Sequence, residues 1–209
     1  MATTKKNKKN FSSFVWATAF KEIGLEKLRE WSISFTPLPP SDFLQERLQR
    51  LKKFDLISSE RAKELIIDAF CEEVAVNHLA LKIWKAATVD GDDLTGVADY
   101  VVAPDRGYLD TPLLCVAEAK KDDFEQGLAQ CLVEMKACQQ RNARDGGLIE
   151  IYGIVTNGGT WQFYKMTTAG EVWETPPHSI GDLESVLGGI HHVFTLCEEQ
   201  LNIWLTRQN

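Results

Sequence analysis

Polar and apolar residues change their period several times along the chain, and each change marks an element. Phe14 to Trp31 mixes apolar and charged residues at roughly helical spacing with Gly24 as an interruption, and Pro37, Pro39 and Pro40 then stop any helix from running on. That proline cluster reads as a linker. Ser41 or Asp42 can cap a helix whose Phe43, Leu44, Leu48 and Leu51 form a stripe. From Ser58 the pattern becomes an alternation of helices and strands. Ser58 or Ser59 opens a helix to about His78, and strand-like segments follow at Leu81 to Val89 and Val97 to Ala103. Leu113 to Ala119 is nearly all apolar, as a strand buried on both faces should be. Asp122 or Asp123 opens a long helix to about Arg144, and Ile149 to Thr156 is a second buried strand. Asn157-Gly158-Gly159 is a tight-turn signal, Thr160 to Met166 returns as a strand, and Gly181 to Arg207 closes the chain as a helix. The order predicts an α/β fold, a central mixed sheet flanked by helices.

Composition divides the chain in two. Residues 1–57 carry 11 basic and 6 acidic side chains, whereas residues 58–209 carry 12 basic and 24 acidic ones. The expected organisation is a basic, mostly helical N-terminal extension (1–57) before an acidic α/β core (58–209). An overall charge of -7 excludes a protein that coats nucleic acid by bulk charge alone.

Five cysteines form no C-x-x-C pair and read as reduced, mostly buried thiols. His191 and His192 are adjacent, while His78 and His178 stand alone, so no histidine metal site is expected. The N-terminal lysines precede no apolar leader and no apolar run approaches membrane-spanning length, which points to a cytoplasmic protein without a membrane segment.

The chemistry lies where polar residues interrupt buried strands. Asp99 sits inside Gly-Val-Ala-Asp-Tyr-Val-Val-Ala, and Glu118 with Lys120 ends Leu-Leu-Cys-Val-Ala-Glu-Ala-Lys. Along a strand Glu118 and Lys120 face the same way. If the strands pair, two carboxylates share one pocket, where they repel each other unless a proton or cation intervenes, and hard oxygen ligands suit Mg2+. On the upstream helix Glu73 falls near the middle of the apolar face of Leu65, Ile66, Ala69, Phe70 and Val76, with Glu72 toward its edge, so Glu73 is expected as a ligand or as a partner of Lys120. Downstream, Gln126, Gln130 and Glu134 are spaced by four and line one side of their helix. Trp161, Phe163 and Tyr164 could stack bases but read as core, since aromatics on a sheet are more often packed.

These segments together resemble the PD-(D/E)XK nuclease superfamily, the restriction-endonuclease-like fold, in particular its branch near the N-terminal nuclease part of type I restriction motor subunits. The resemblance runs from about Leu65 to Met166, about half the chain. It rests on Cys-Glu-Glu-Val at 71–74, Leu-Thr-Gly-Val-Ala-Asp-Tyr at 94–100, Val-Ala-Glu-Ala-Lys-Lys-Asp-Asp-Phe at 116–124, Gln-Cys-Leu-Val-Glu-Met at 130–135 and Tyr-Gly-Ile-Val-Thr-Asn-Gly-Gly-Thr-Trp-Gln-Phe-Tyr at 152–164. Ala98 stands where the motif's name has proline. The resemblance implies Asp99 and Glu118 as metal ligands with the carbonyl of Ala119 as a further oxygen, Lys120 as the water-orienting base, Glu73 as the helix acid and Gln130 as a supporting polar group. It implies Mg2+ (or Mn2+) as cofactor and hydrolysis of phosphodiester bonds in nucleic acid, DNA foremost, as the reaction. The alternative is a non-catalytic module of the same fold that binds a protein or nucleic-acid partner. The apolar C-terminal helix is expected either to cover the sheet or to form a homodimer face.

Overall fold

The computed structural model describes residues 8–56, 59–120 and 123–208. A short strand β1 (Lys9–Asn10) and a 3-10 turn lead into helix α1 (Trp16–Ile23). Gly24 ends that helix in the left-handed region with φ of 71°, which glycine adopts without a Cβ clash. β2 (Arg29–Glu30) and an extended stretch containing the prolines precede α2 (Asp42–Leu51), where the Ser41 side chain accepts from the Leu44 amide. Ser59 caps α3 (Glu60–Ala75) by accepting from the Ala62 amide, whereas Ser58 lies outside the described residues.

The centre of the fold is a run of strands and one long helix. β3 (Leu81–Asp90), β4 (Leu94–Pro104) and β5 (Cys115–Ala119) are followed by α4 (Phe124–Asp145), β6 (Ile151–Thr156) and β7 (Thr160–Met166). β8 (Val172–Glu174), β9 (His178–Ser179) and α5 (Leu183–Gln208) complete the chain. Asp123 caps α4 through the Gln126 amide, and Asp122, the other candidate, lies outside the described residues. Together the strands make one nine-stranded mixed sheet, in which β3, β4 and β5 are antiparallel neighbours and β5 runs parallel to β6. β5 and β6 are buried along their whole length, as their apolar runs require.

Helices cover both faces, so the chain is an α/β fold. α4 packs on the face of β6 that carries Gly153, where a Cβ would come 2.6 Å from Met135 Sδ and 2.7 Å from Cys131 Sγ. α3 and α5 occupy the other face: Phe70 stacks on Trp161, and Phe163 packs against Gly189. Trp161, Phe163 and Tyr164 are fully buried, in agreement with their reading as core, and all five cysteines are free and buried. The C-terminal helix covers the sheet, leaving Ile203 and Leu205 exposed near its end. Among the described residues no helix is long and apolar enough to cross a membrane.

The N-terminal segment is stitched to the core. β1 pairs with β4, β2 pairs with β8, and Phe11, Phe14, Ala19, Trp31 and Leu44 are buried in the common core. The proline stretch lies directly on α5, where a Cβ on Gly188 would stand 2.5 Å from the Thr36 carbonyl oxygen.

Candidate functional site

Asp99 occupies a break in the sheet. The β3–β4 ladder pairs Lys85 with Tyr100 and Ala87 with Ala98 but skips the intervening pair, Ala86 and Asp99. Ala86 there has φ of 49°, a left-handed conformation that a residue with a Cβ adopts at a cost of roughly 1–2 kcal/mol. On its other side, β4 pairs with β5 only as far as Tyr100 and Ala117. The next step of that register puts Asp99 opposite Glu118, and in place of a ladder bond the Asp99 side chain accepts from the Ala119 amide, 2.8 Å from Oδ2. Backbone strain beside a polar side chain in a buried sheet is where function is usually kept.

Glu118, on the central strand β5, is only 3% exposed. Its Oε1 lies 2.7 Å from Lys120 Nζ, so the pair expected to share a face is an ion pair. Lys120 reaches it through a gap in α4, because a Cβ on Gly127 would stand 2.7 Å from Lys120 Cγ. Among the described residues Glu118 Oε2, Gln130 Oε1 and the two carboxylate oxygens of Glu134, all of them buried, meet no N–H donor. Burial first, then the charge of Asp99, pushes the Glu118 carboxyl up from 4.5 to about 7 against the opposing pull of Lys120. Burial also raises Glu134 well above the ordinary carboxylate range, with the charges of Glu118 and Asp99 adding to it. Glu118 and Glu134 face each other, since each acts on the other through a carboxyl–carboxyl contact. Such a contact between two acceptors needs a proton or a cation between them.

The sequence-derived set is therefore brought together in part. Asp99, the Ala119 backbone, Glu118 and Lys120 meet at the ends of β4 and β5, and Gln130 stands one helical turn from Glu134 on α4. Glu73 does not join them. It lies on α3, which packs on the opposite face, where Tyr100 donates to Asp68. Both Glu73 oxygens are taken by Ser41, one by its amide at 2.6 Å and the other by its hydroxyl at 2.7 Å. Glu73, half-exposed beside α2, thus ties down the start of that helix, and Glu72 pairs with Arg47. The buried acid of the cluster comes instead from α4. Its signal was an ionisable residue inside the apolar run Leu132-Val133-Glu134-Met135. Gln126, on the same stripe, donates to the Phe14 carbonyl and fastens the N-terminal segment.

Among the described residues no three His, Cys, Asp or Glu side chains stand as a ready metal-binding group. The donor chemistry nevertheless suits a hard cation: two acids at the strand ends, a further buried acid on α4 facing one of them, and one amine. A surface recess of about 280 Å3 lies away from this cluster, between Arg47, Asp68, Lys85 and Tyr100. Its cations are engaged, Arg47 by Glu72 and Lys85 by Asp68 and Glu64, so the buried acids carry the stronger chemical signal. His78, expected to stand alone, is buried with Nδ1 3.0 Å from Glu198 and Nε2 2.9 Å from His191 Nδ1, a contact between residues too distant in sequence for spacing to show.

No protein-family model matches the chain. Over 128 residues it is 29% identical to Crinkler effector protein 5 of Phytophthora infestans, a stretch covering 59% of this chain and 35% of that protein. The chain thus spans about a third of the relative's length, and the likeness is one between two partial stretches.

Proposed function

We propose that the chain is a divalent-cation-dependent nuclease with a restriction-endonuclease-like core, hydrolysing phosphodiester bonds in nucleic acid, DNA foremost. The observation that carries the reading is the meeting of Asp99, Glu118 and Lys120 at a strained break in a buried sheet. The order helix, three antiparallel strands, helix, parallel strand from α3 to β6 supports the same fold. Asp99 and Glu118, with the carbonyl of Ala119, would hold Mg2+ or Mn2+, and the ion supplies charge neutralisation at the phosphate and a bound water of lowered pKa. Lys120 would orient the attacking water, and Gln130 would serve as a supporting polar group.

The N-terminal segment offers fewer phosphate contacts than its charge suggests. Lys8 is bound to Asp90, Lys9 to Glu22, Arg29 to Glu171 and Arg47 to Glu72. Lys21, Lys27, Lys52 and Lys53 are exposed and are the side chains of that segment best placed to meet a polyanion.

A second reading, a module of the same fold without turnover, is favoured by one observation: Glu118 is almost wholly buried and already spends one oxygen on Lys120. Incubating the full chain with supercoiled plasmid, single-stranded DNA and RNA, in Mg2+ or in EDTA, separates the two. The nuclease reading expects cation-dependent cleavage that disappears in Asp99→Ala and Lys120→Ala. Cleavage unchanged in Lys120→Ala would refute the mechanism, and no cleavage of any substrate would favour the second reading.

A further inference from the structure

Among the described residues the buried Glu118 Oε2 and both oxygens of Glu134 meet no N–H donor, the two carboxyls face each other, and Gln130, whose buried Oε1 likewise meets none, stands one turn away on α4. A fold that only needed to fill this space would use apolar side chains, as α4 does at Leu132, Val133 and Met135, each fully buried. Glu134 is 1% exposed, and the spacing of four places it one turn beyond Gln130 on the same side of α4. The Lys120 amine lies on the other oxygen of Glu118. Two facing carboxyls are complete only with a proton or a cation between them.

We propose that Glu134 is a direct oxygen ligand of the divalent cation, forming with Glu118 and Gln130 the inner wall of its site, while Asp99 stands on the outer, half-buried side. This rests on the nuclease reading and adds to it a ligand from α4 in place of one from α3. Two carboxylates and an amide oxygen are hard donors of the kind Mg2+ and Mn2+ accept while keeping bound water. The arrangement also gives Glu118 two duties, one oxygen steering Lys120 and the other meeting the metal.

The test is calorimetric titration of Mn2+, and separately Mg2+, into the purified full chain at neutral pH, for wild type, Glu134→Gln, Glu134→Asp and Asp99→Asn, each checked by thermal unfolding in EDTA. Glu134→Gln is nearly isosteric and removes carboxylate repulsion, so its metal-free melting temperature should equal or exceed that of the wild type. Its cation affinity should fall about tenfold or more, the scale seen when groups that define a metal site are removed. Glu134→Asp keeps the charge but shortens the arm and should fall between the two. Binding by Glu134→Gln or Glu134→Asp as tight as the wild type, with Asp99→Asn weakened, overturns the role of Glu134 and leaves the nuclease reading standing. No binding by the wild type removes the cation site altogether.

Discussion

Glu118→Gln should flatten the pH dependence of stability in the metal-free protein. Burial and the Asp99 charge hold the folded Glu118 carboxyl at about 7, against 4.5 for an ordinary glutamate. Between those values the folded chain keeps a proton that the unfolded chain has released, so stability falls as pH rises through that window. The group costs nothing below about pH 4.5 and its full penalty is reached above about pH 7. At ~1.4 kcal/mol per pH unit the gap corresponds to about 3 kcal/mol. Glu134, raised in the same direction by burial and by Glu118, steepens the decline. Gln keeps the shape and carries no proton equilibrium. It also strands Lys120, so the comparison is read from the change with pH and not from the absolute stabilities. Urea unfolding of wild type and Glu118→Gln in EDTA, at intervals from mildly acidic to slightly alkaline pH, reads the difference directly. The wild type should lose about 3 kcal/mol relative to the variant across the window. Parallel stability curves would refute the claim that Glu118 is buried as a repelled carboxyl.

Three further substitutions probe the surroundings. Gly127→Ala would bring a Cβ within 2.7 Å of Lys120 Cγ and 3.1 Å of Val155 Cγ1, so it should cost about 1–3 kcal/mol in chemical unfolding and lower any cation-dependent cleavage beyond that loss. Asp99→Asn preserves an acceptor for the Ala119 amide while removing a charge that raises Glu118 and Glu134, so without metal it should be neutral or stabilising by thermal unfolding. A loss of several kcal/mol would make Asp99 a structural residue. Ser41→Ala removes both the cap of α2 and the hydroxyl held by Glu73, and should cost about 1–2 kcal/mol while leaving cation affinity unchanged. A loss of affinity there would return Glu73 to the site.

Local rules reached most of the elements because those elements obey them. Ser41, Ser59 and Asp123 are caps that bind the amide three residues on. The all-apolar runs at β5 and β6 are buried on both faces. The attachments of the N-terminal segment were not legible, because β1 and β2 are two residues each and carry no period. The prolines were read as a linker, but the stretch seats against Gly188, a fit that depends on a glycine about 150 residues away. Within the candidate site the strand residues could be found because a polar group in a buried strand stands out. The helix acid could not be settled the same way. Periodicity shows that a glutamate faces inward, but not which face of the sheet its helix covers, and here Glu73 and Glu134 lie on helices packed on opposite faces. The helix α4 is buried on most sides, so its apolar stripe gave little direction either.

In the proposed function, acids from β4 and β5 close on one divalent cation beside Lys120. The most direct measurement is the anomalous scattering of crystals of the full chain grown or soaked in Mn2+. A peak is expected within about 2.2 Å of oxygens of both Asp99 and Glu118, the distance at which such ions bind carboxylates, with Lys120 still beside Glu118. Saturating Mn2+ that leaves no peak between those carboxylates would contradict it.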